Sequence, residues 1–323
     1  MKKLFVLAGI CTLICAAAVA ADIRGAWTAE VQDGASMQMN LSTRGGHSNF
    51  GETMAAADFA GLTDAAMRAT TQTPVTFQLA RDAGIVAFEG TFKNGFGAGQ
   101  FTFTPNQNYI ASLRSLGVTF EESDHGDNQL LTMALLDVST PFIRSMQAEG
   151  YRVSAEKYLS MRIFRVTPEL VRELRSLGYD KIDADDLVAT RIHKVTPDYI
   201  RAMRAAGYPS LSLENLIASR IHKATPEFLS EMKALGYSNI DFDDLIAFRI
   251  HRVTGDFVRE LRDLGYNNVS ADDLVAMRIH GVTPQFIREL KDAGYEHIPV
   301  EKLIDMRIHG IDANFVKKMN KSS

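Results

Sequence analysis

The sequence predicts an α+β protein in which a small antiparallel β meander or partial barrel is followed by an α-solenoid of helical hairpin repeats. From about residue 24 to residue 103, apolar residues alternate with polar ones, which is the period of a β-strand. After Thr104-Pro105 the apolar spacing becomes helical, and the tripeptide Arg-Ile-His returns at a constant spacing, once in each repeat of ~29 residues. The 323 residues are 46% hydrophobic with 2 Cys, which excludes collagen-like, disulfide-framework and mostly disordered proteins.

Residues 1–21 are predicted to be a secretory signal peptide. Met1-Lys2-Lys3 is positively charged, Leu4–Ala17 is an uncharged apolar run, and Ala18-Val19-Ala20 has the small-residue pattern of a cleavage site. The run is shorter than the ~20 residues that a membrane-spanning helix needs. Cleavage is therefore the favoured interpretation, and an uncleaved membrane anchor is the alternative.

Cleavage would remove both cysteines, Cys11 and Cys15, and with them any disulfide, thiol nucleophile or thiolate metal site. A disulfide-free exported chain fits a bacterial periplasm or exterior better than a eukaryotic secretory route. The whole chain has a net charge of −4, and loss of Lys2 and Lys3 would make the cleaved chain more acidic still. We therefore expect no nucleic-acid partner, and no membrane span after cleavage.

Residues 22–104 are predicted to form the small antiparallel β domain. The predicted strands are Gly25–Val31, Ser36–Ser42, His47–Met54, Val75–Ala80, Gly84–Phe92 and Gly97–Phe103. Turn signals such as Asn94-Gly95 separate them, and a short helix is expected around Thr63–Arg68. The glycine-rich run Gly95–Gly99 precedes another strand pattern, so it indicates closely packed strands rather than a nucleotide-binding loop. Trp27 is expected at the hydrophobic centre.

Residues 105–323 are predicted to form about seven helical hairpins. In each regular repeat a Thr N-cap precedes the first helix, in most repeats a Pro occupies the first helical position, and a Gly-Tyr pair ends the helix. An Asp or Ser caps a second short helix, whose buried stripe is expected to include Leu187, Val188 and Ile192. Isolated helices of this length are marginal, so the hairpins must bury their faces against neighbouring hairpins.

The repeat resembles one found in uncharacterised exported bacterial proteins. The motifs that carry the resemblance are V-T-P-Q-F-I-R-E-L-K-D-A-G-Y, at Val282–Tyr295, and L-I-D-M-R-I-H, at Leu303–His309. Similar repeats are appended to membrane metallopeptidases of the antibiotic-sensing type, but the H-E-x-x-H signature of those enzymes is absent from this sequence. The resemblance therefore implies an accessory or sensing module and transfers no catalytic residue.

The repeated arginines and histidines are predicted to be structural. They are Arg162, Arg191, Arg220, Arg249, Arg278 and Arg307, with His193, His222, His251, His280 and His309. The histidines are expected to satisfy the carbonyl ends of helices, since packed helices lie ~8–10 Å apart and one His per layer cannot converge on a zinc ion. The arginines are expected to pair with carboxylates of neighbouring repeats; the alternatives are a metal track or pH sensor for the histidines and anion receptors for the arginines. The carboxylates are Glu156, Asp185, Glu214, Asp243, Asp272 and Glu301.

These observations predict an exported, non-enzymatic scaffold that binds a protein or peptide partner and needs no metal or cofactor. The predicted partner-binding positions are equivalent in the repeats but differ in chemistry. They are Met161, Thr190, Ser219, Phe248, Met277 and Met306. One alternative is an envelope sensor or regulatory module with a ligand-binding β domain. The other is a metal-dependent hydrolase that uses the repeat histidines.

Overall fold

The computed structural model describes residues 22–32, 36–43, 49–119, 124–312 and 315. The predicted signal peptide and the lysine-bearing C-terminal residues lie outside the described ranges. The chain divides into two compact units, residues 1–168 and residues 169–323. Within the described ranges, no helix combines the length and the apolarity that crossing a bilayer requires.

The first unit contains a curled antiparallel sheet. In the described residues it has seven strands, paired in the order β3-β2-β1-β7-β6-β5-β4. The strands are β1 (Ile23–Val31), β2 (Ser36–Thr43), β3 (Asn49–Ala55), β4 (Phe59–Ala60), β5 (Thr73–Arg81), β6 (Gly84–Lys93) and β7 (Phe96–Pro105). The predicted meander is confirmed, and β4 was missed because two residues show no alternation. The expected short helix is α1 (Asp64–Met67), capped by the hydroxyl of Thr63.

Trp27 lies at the centre of the sheet's buried face, as predicted. Its ring centroid is 5.3 Å from that of Phe77 and 5.6 Å from that of Phe92, and its indole N–H donates to the carbonyl of Glu89 at 3.2 Å. Gly99 pairs with Trp27 across the sheet, and a Cβ there would lie 1.9 Å from the Glu89 carbonyl oxygen. The glycine-rich run therefore allows close strand packing, as the sequence predicted.

Four helices follow the sheet in the part of the first unit that the structure describes. They are α2 (Gln107–Ser115), α3 (Asp124–Leu135), α4 (Thr140–Ala148) and α5 (Ala155–Ile163). Helix α3 packs against the sheet, and the backbone N–H of Thr140 at the start of α4 donates to the Asp82 carboxylate at 2.8 Å. Arg162 in α5 pairs with Asp137 at 3.0 Å. The first two contacts attach α3 and α4 to the sheet, and the third joins α5 to the loop after α3.

The second unit is built of helical hairpins, each with a first and a second helix. The first helices are α6 (Pro168–Ser176), α8 (Pro197–Ala205), α10 (Pro226–Ala234), α12 (Gly255–Asp263) and α14 (Pro284–Asp292). The second helices are α7 (Ala184–Ile192), α9 (Leu213–His222), α11 (Phe242–Ile250), α13 (Ala271–Ile279) and α15 (Val300–Ile308). Each second helix packs against the second helix of the next hairpin, so the hairpins stack in chain order.

The predicted helix caps are present in the regular repeats. The hydroxyls of Thr196 and Thr254 each accept the backbone N–H three residues later at 3.2 Å, and Asp183 and Asp241 cap second helices in the same way. The glycines after the first helices have positive φ, as at Gly265, where φ is 96°. Local capping chemistry thus sets the start and end of each helix.

Candidate interaction surface

The equivalent positions predicted to bind a partner lie in the protein core, and that prediction is wrong. Met161, Thr190, Ser219, Phe248 and Met277 are each 1% exposed or less, and Met306 is half-buried. The two polar members are satisfied within their own helices: the Thr190 hydroxyl donates to the Leu187 carbonyl and the Ser219 hydroxyl to the Leu216 carbonyl, both at 2.7 Å. Internal hydrogen bonds therefore make these polar side chains compatible with burial.

The isoleucine of each Arg-Ile-His tripeptide faces solvent instead, so the predicted burial of Ile192 is also wrong. In the second unit these residues form what we call the isoleucine row, and all are 47–55% exposed. The row consists of Ile192, Ile221, Ile250, Ile279 and Ile308. In α13, for example, Leu274 and Met277 point into the core, and Ile279 lies about 200° around the helix from Met277. Because these two positions lie on opposite sides of the helix, one buried face cannot hold both.

Carboxylates occupy the same exposed face of the second helices, seven residues before each isoleucine. Seven residues are about two helical turns, so each carboxylate lies about 10 Å from its isoleucine along the helix. We call these exposed residues the acidic row: Asp185, Glu214, Asp243, Asp272 and Glu301. A strip of negative charge therefore runs beside the isoleucine row.

Carboxylates at this edge act on one another within a repeat and between neighbouring repeats. Burial and then the neighbouring carboxylates of Asp241, Asp272 and Asp243 raise the pKa of Asp244 above its ordinary value. The pKa of Asp186 is raised in the same way, first by burial and then by other carboxylates that include Glu214 of the next repeat. Mutual repulsion of this kind favours binding of a cationic group.

In place of the predicted pairs with the acidic row, three tripeptide arginines contact a carbonyl of the preceding repeat and an aromatic ring. Arg249 Nε donates to the carbonyl of His222 in the preceding repeat at 3.2 Å, and its guanidinium stacks 4.6 Å from the Phe228 ring centroid. Arg220 and Arg278 make the equivalent bonds at 3.1 and 3.2 Å. The prediction is therefore wrong for these arginines: they join repeats through a main-chain carbonyl and an aromatic ring, and the acidic row stays at the surface.

The repeat histidines occupy the end of each second helix, one per repeat. His193, His222 and His251 are half-buried, whereas His280 and His309 are exposed. The carbonyls of the first three accept the arginine bonds of the next repeat. Across the ranges that the structure describes, no three His, Cys, Asp or Glu side chains lie close enough to hold a metal ion.

A second set of contacts between repeats was not predicted from the sequence. The Gly-Tyr tyrosines donate forward to a carbonyl just before the second helix of the next repeat, as from Tyr208 to Ile240 at 2.9 Å and from Tyr237 to Val269 at 2.7 Å. Cations of the first helices reach backward, as from Lys233 Nζ to the Ala206 carbonyl at 2.6 Å. The recurrence of Tyr and of Lys or Arg at the same positions in successive repeats is the signal that could have revealed them.

The first unit contains an open polar cleft of about 640 Å³, where the sheet meets the start of α2 and the loop after α3. Its lining includes Arg81, Asp82 and Asp137, and Arg81 also pairs with Asp58 at 3.0 Å. Asp82 accepts the backbone N–H of Thr140. The charged groups of this cleft thus take part in contacts within the unit, whereas about half of each isoleucine in the isoleucine row faces solvent.

Comparison with protein-family models and with curated proteins finds no match to this sequence. The geometry of the second unit therefore carries the functional argument.

Proposed function

We propose that this chain is an exported, non-enzymatic scaffold that binds a protein or peptide partner through the second helices of residues 169–312. The observation that carries the proposal is the isoleucine row, in which the same large apolar residue stays half exposed in five consecutive repeats. Single exposed apolar residues are common, but contiguous apolar patches mark interaction surfaces. Stacked repeats provide extended surfaces of this kind.

Export is part of the proposal and rests on the leader-like pattern of residues 1–21 and on the resemblance of the repeats to those of exported bacterial proteins. Expression in a bacterial host followed by cell fractionation and N-terminal sequencing tests it. The expected result is envelope or extracellular protein that starts near Ala21 or Asp22. Cytoplasmic protein that retains Met1 would contradict it.

Site-specific crosslinking tests the interaction surface. A photoreactive amino acid is placed at Ile250, or at the exposed Ser230 on the first helix α10 as a matched control. Irradiation of the native host cells should give a defined adduct from position 250, and the Ile221→Ser and Ile279→Ser substitutions should reduce its yield. Equal adducts from positions 250 and 230, or none from 250, would contradict the proposal.

A further inference from the structure

We infer that the partner segment is an extended, cationic polypeptide whose apolar side chains recur at every third residue and contact the isoleucine row while its basic side chains face the acidic row. This inference rests on the proposed function and specifies the partner. It follows from three properties of the second helices: their apolar exposure, their charge and their spacing.

Charge determines which class of segment fits. The acidic row supplies one exposed carboxylate per repeat in all five second helices of the unit. On the other side of the isoleucines, basic residues occupy the left-handed position after the helix in three repeats, at Lys194, Lys223 and Arg252. Gly281 and Gly310 take that place in the last two repeats. The acidic row is thus continuous, whereas the basic positions after the helices are not. The tripeptide arginines Arg220, Arg249 and Arg278 are engaged by a carbonyl of the preceding repeat and by an aromatic ring, so the charge pattern favours a cationic partner.

Spacing determines the conformation. Packed helices lie ~8–10 Å apart, and successive second helices pack directly on one another. An extended polyproline-II-like chain rises about 3.1 Å per residue, so three residues advance it by about one repeat. One apolar and one basic side chain in every three residues would therefore contact the isoleucine and the carboxylate of each successive repeat.

Fluorescence anisotropy with labelled synthetic peptides tests this inference on the full chain after its leader is removed. The probe repeats Lys-Ile-Ser over about fifteen residues, enough to cross five repeats. The comparison peptides repeat Glu-Ile-Ser and Lys-Ser-Ser, and a fourth has the probe's composition in scrambled order. We expect the probe to bind at least about tenfold more tightly than each comparison peptide, and its affinity to fall as salt rises.

Matched variants locate the binding. The triple variant Glu214→Gln, Asp243→Asn, Asp272→Asn should bind the probe about tenfold more weakly. The control Asp180→Asn, Asp263→Asn, Asp292→Asn removes the same charge from exposed positions outside the second helices and should bind like the unmodified chain. Ile250→Ser with Ile279→Ser should weaken binding without affecting the circular dichroism spectrum, since both positions are exposed.

Four outcomes overturn the inference: equal binding of the Lys-Ile-Ser and Glu-Ile-Ser peptides, equal binding of the scrambled peptide, equal losses in the two triple variants, or preferential binding to phosphatidylglycerol vesicles. The proposed function fails separately, when crosslinking at position 250 is no stronger than at position 230. A crosslinked partner that lacks a basic, apolar segment retains the scaffold and eliminates the cationic peptide.

Discussion

The hydroxyl of Tyr199 lies 2.8 Å from the hydroxyl of Ser219, inside the core of the second unit. The next repeat places Phe228 where Tyr199 stands and Phe248 where Ser219 stands. A ring with an added hydroxyl is therefore matched by a small side chain with a hydroxyl. Because the Ser219 hydroxyl donates its own hydrogen to the Leu216 carbonyl, its oxygen accepts the hydrogen bond that the Tyr199 hydroxyl donates.

The Tyr199–Ser219 hydrogen bond predicts an asymmetric mutational cycle. Ser219→Ala leaves the buried tyrosine hydroxyl unsatisfied and should lower the free energy of unfolding by about 1–3 kcal/mol. Tyr199→Phe removes only the bond and should cost about 0.5–1.5 kcal/mol. In the Tyr199→Phe background, Ser219→Ala should cost clearly less than it does alone. Urea unfolding of the four proteins measures this, and additive effects would show that the two hydroxyls do not interact.

Arg249→Lys should destabilise the chain although it conserves charge. Lysine lacks the planar guanidinium that stacks on Phe228 and donates to the His222 carbonyl, so we expect a loss of about 1–2 kcal/mol. Arg288→Lys is the control, because Arg288 is an exposed partner of Glu260 and should change stability by less than about 0.5 kcal/mol. The urea midpoints of the two variants compare them directly. Equal shifts would contradict a structural role that is particular to the tripeptide arginine.

Gly255→Pro should stabilise the chain. Gly255 begins α12 at the position where Pro226 and Pro284 begin other first helices, and the φ angle of Gly255 is not positive. A Cβ at position 255 would meet the flexible Glu231 carboxylate. One repeat later, Pro284 occupies the position of Gly255 and Glu260 the position of Glu231, and Glu260 still pairs with Arg288. Proline restricts the unfolded chain, so a gain of about 0.4–1 kcal/mol is expected.

Thermal unfolding measures the Gly255→Pro gain as a higher midpoint temperature. Pro284→Gly makes the reverse change in the next repeat and should lower the midpoint by a similar amount. A lower midpoint for Gly255→Pro would show that Glu231 cannot move aside in this repeat.

Stability should fall at high pH because of the tyrosines between repeats. Burial, followed by the Asp241 and Asp244 carboxylates, raises the pKa of Tyr208 to about 12, whereas a tyrosine in the unfolded chain titrates near pH 10. Between these two values the native state keeps a proton that the unfolded chain has lost, so the free energy of unfolding decreases as pH rises. Below about pH 10 this contribution is constant.

The variant Tyr208→Phe isolates this effect. It lacks the hydrogen bond to the Ile240 carbonyl and should be less stable at pH 8, but its stability should decline less steeply from pH 10 to 12. Unfolding by urea at a series of pH values gives both quantities. Identical slopes for the two proteins would contradict the assignment of this titration to Tyr208.

Local chemistry made the helix and strand boundaries predictable. Thr254 and Gly265 mark the ends of α12 because an N-cap hydroxyl and a left-handed glycine act within a few residues. The strand preceding Asn94-Gly95 was predictable for the same reason: its alternation and its turn are local.

Side-chain orientation within the short second helices was not predictable in the same way. Thr190 was assigned to the partner-binding surface because equivalent positions differ in chemistry from repeat to repeat, yet its hydroxyl is satisfied by its own helix and it lies in the core. Ile192 was assigned to the core because it is apolar. A helix of only nine residues has too few positions on its buried side for the sequence to show which side that is. Contacts between repeats, such as that of Arg249 with the His222 carbonyl, depend on tertiary packing.

The bonds between hairpins connect residues 27, 28, 32 or 33 positions apart, and their partners recur with the period of the repeats. Loss or duplication of one whole period would therefore supply each remaining donor with an equivalent acceptor. A gene encoding this chain can lengthen or shorten by recombination between repeats without creating a new interface. The number of repeats, and with it the length of the stacked surface, is then a trait on which natural selection can act readily.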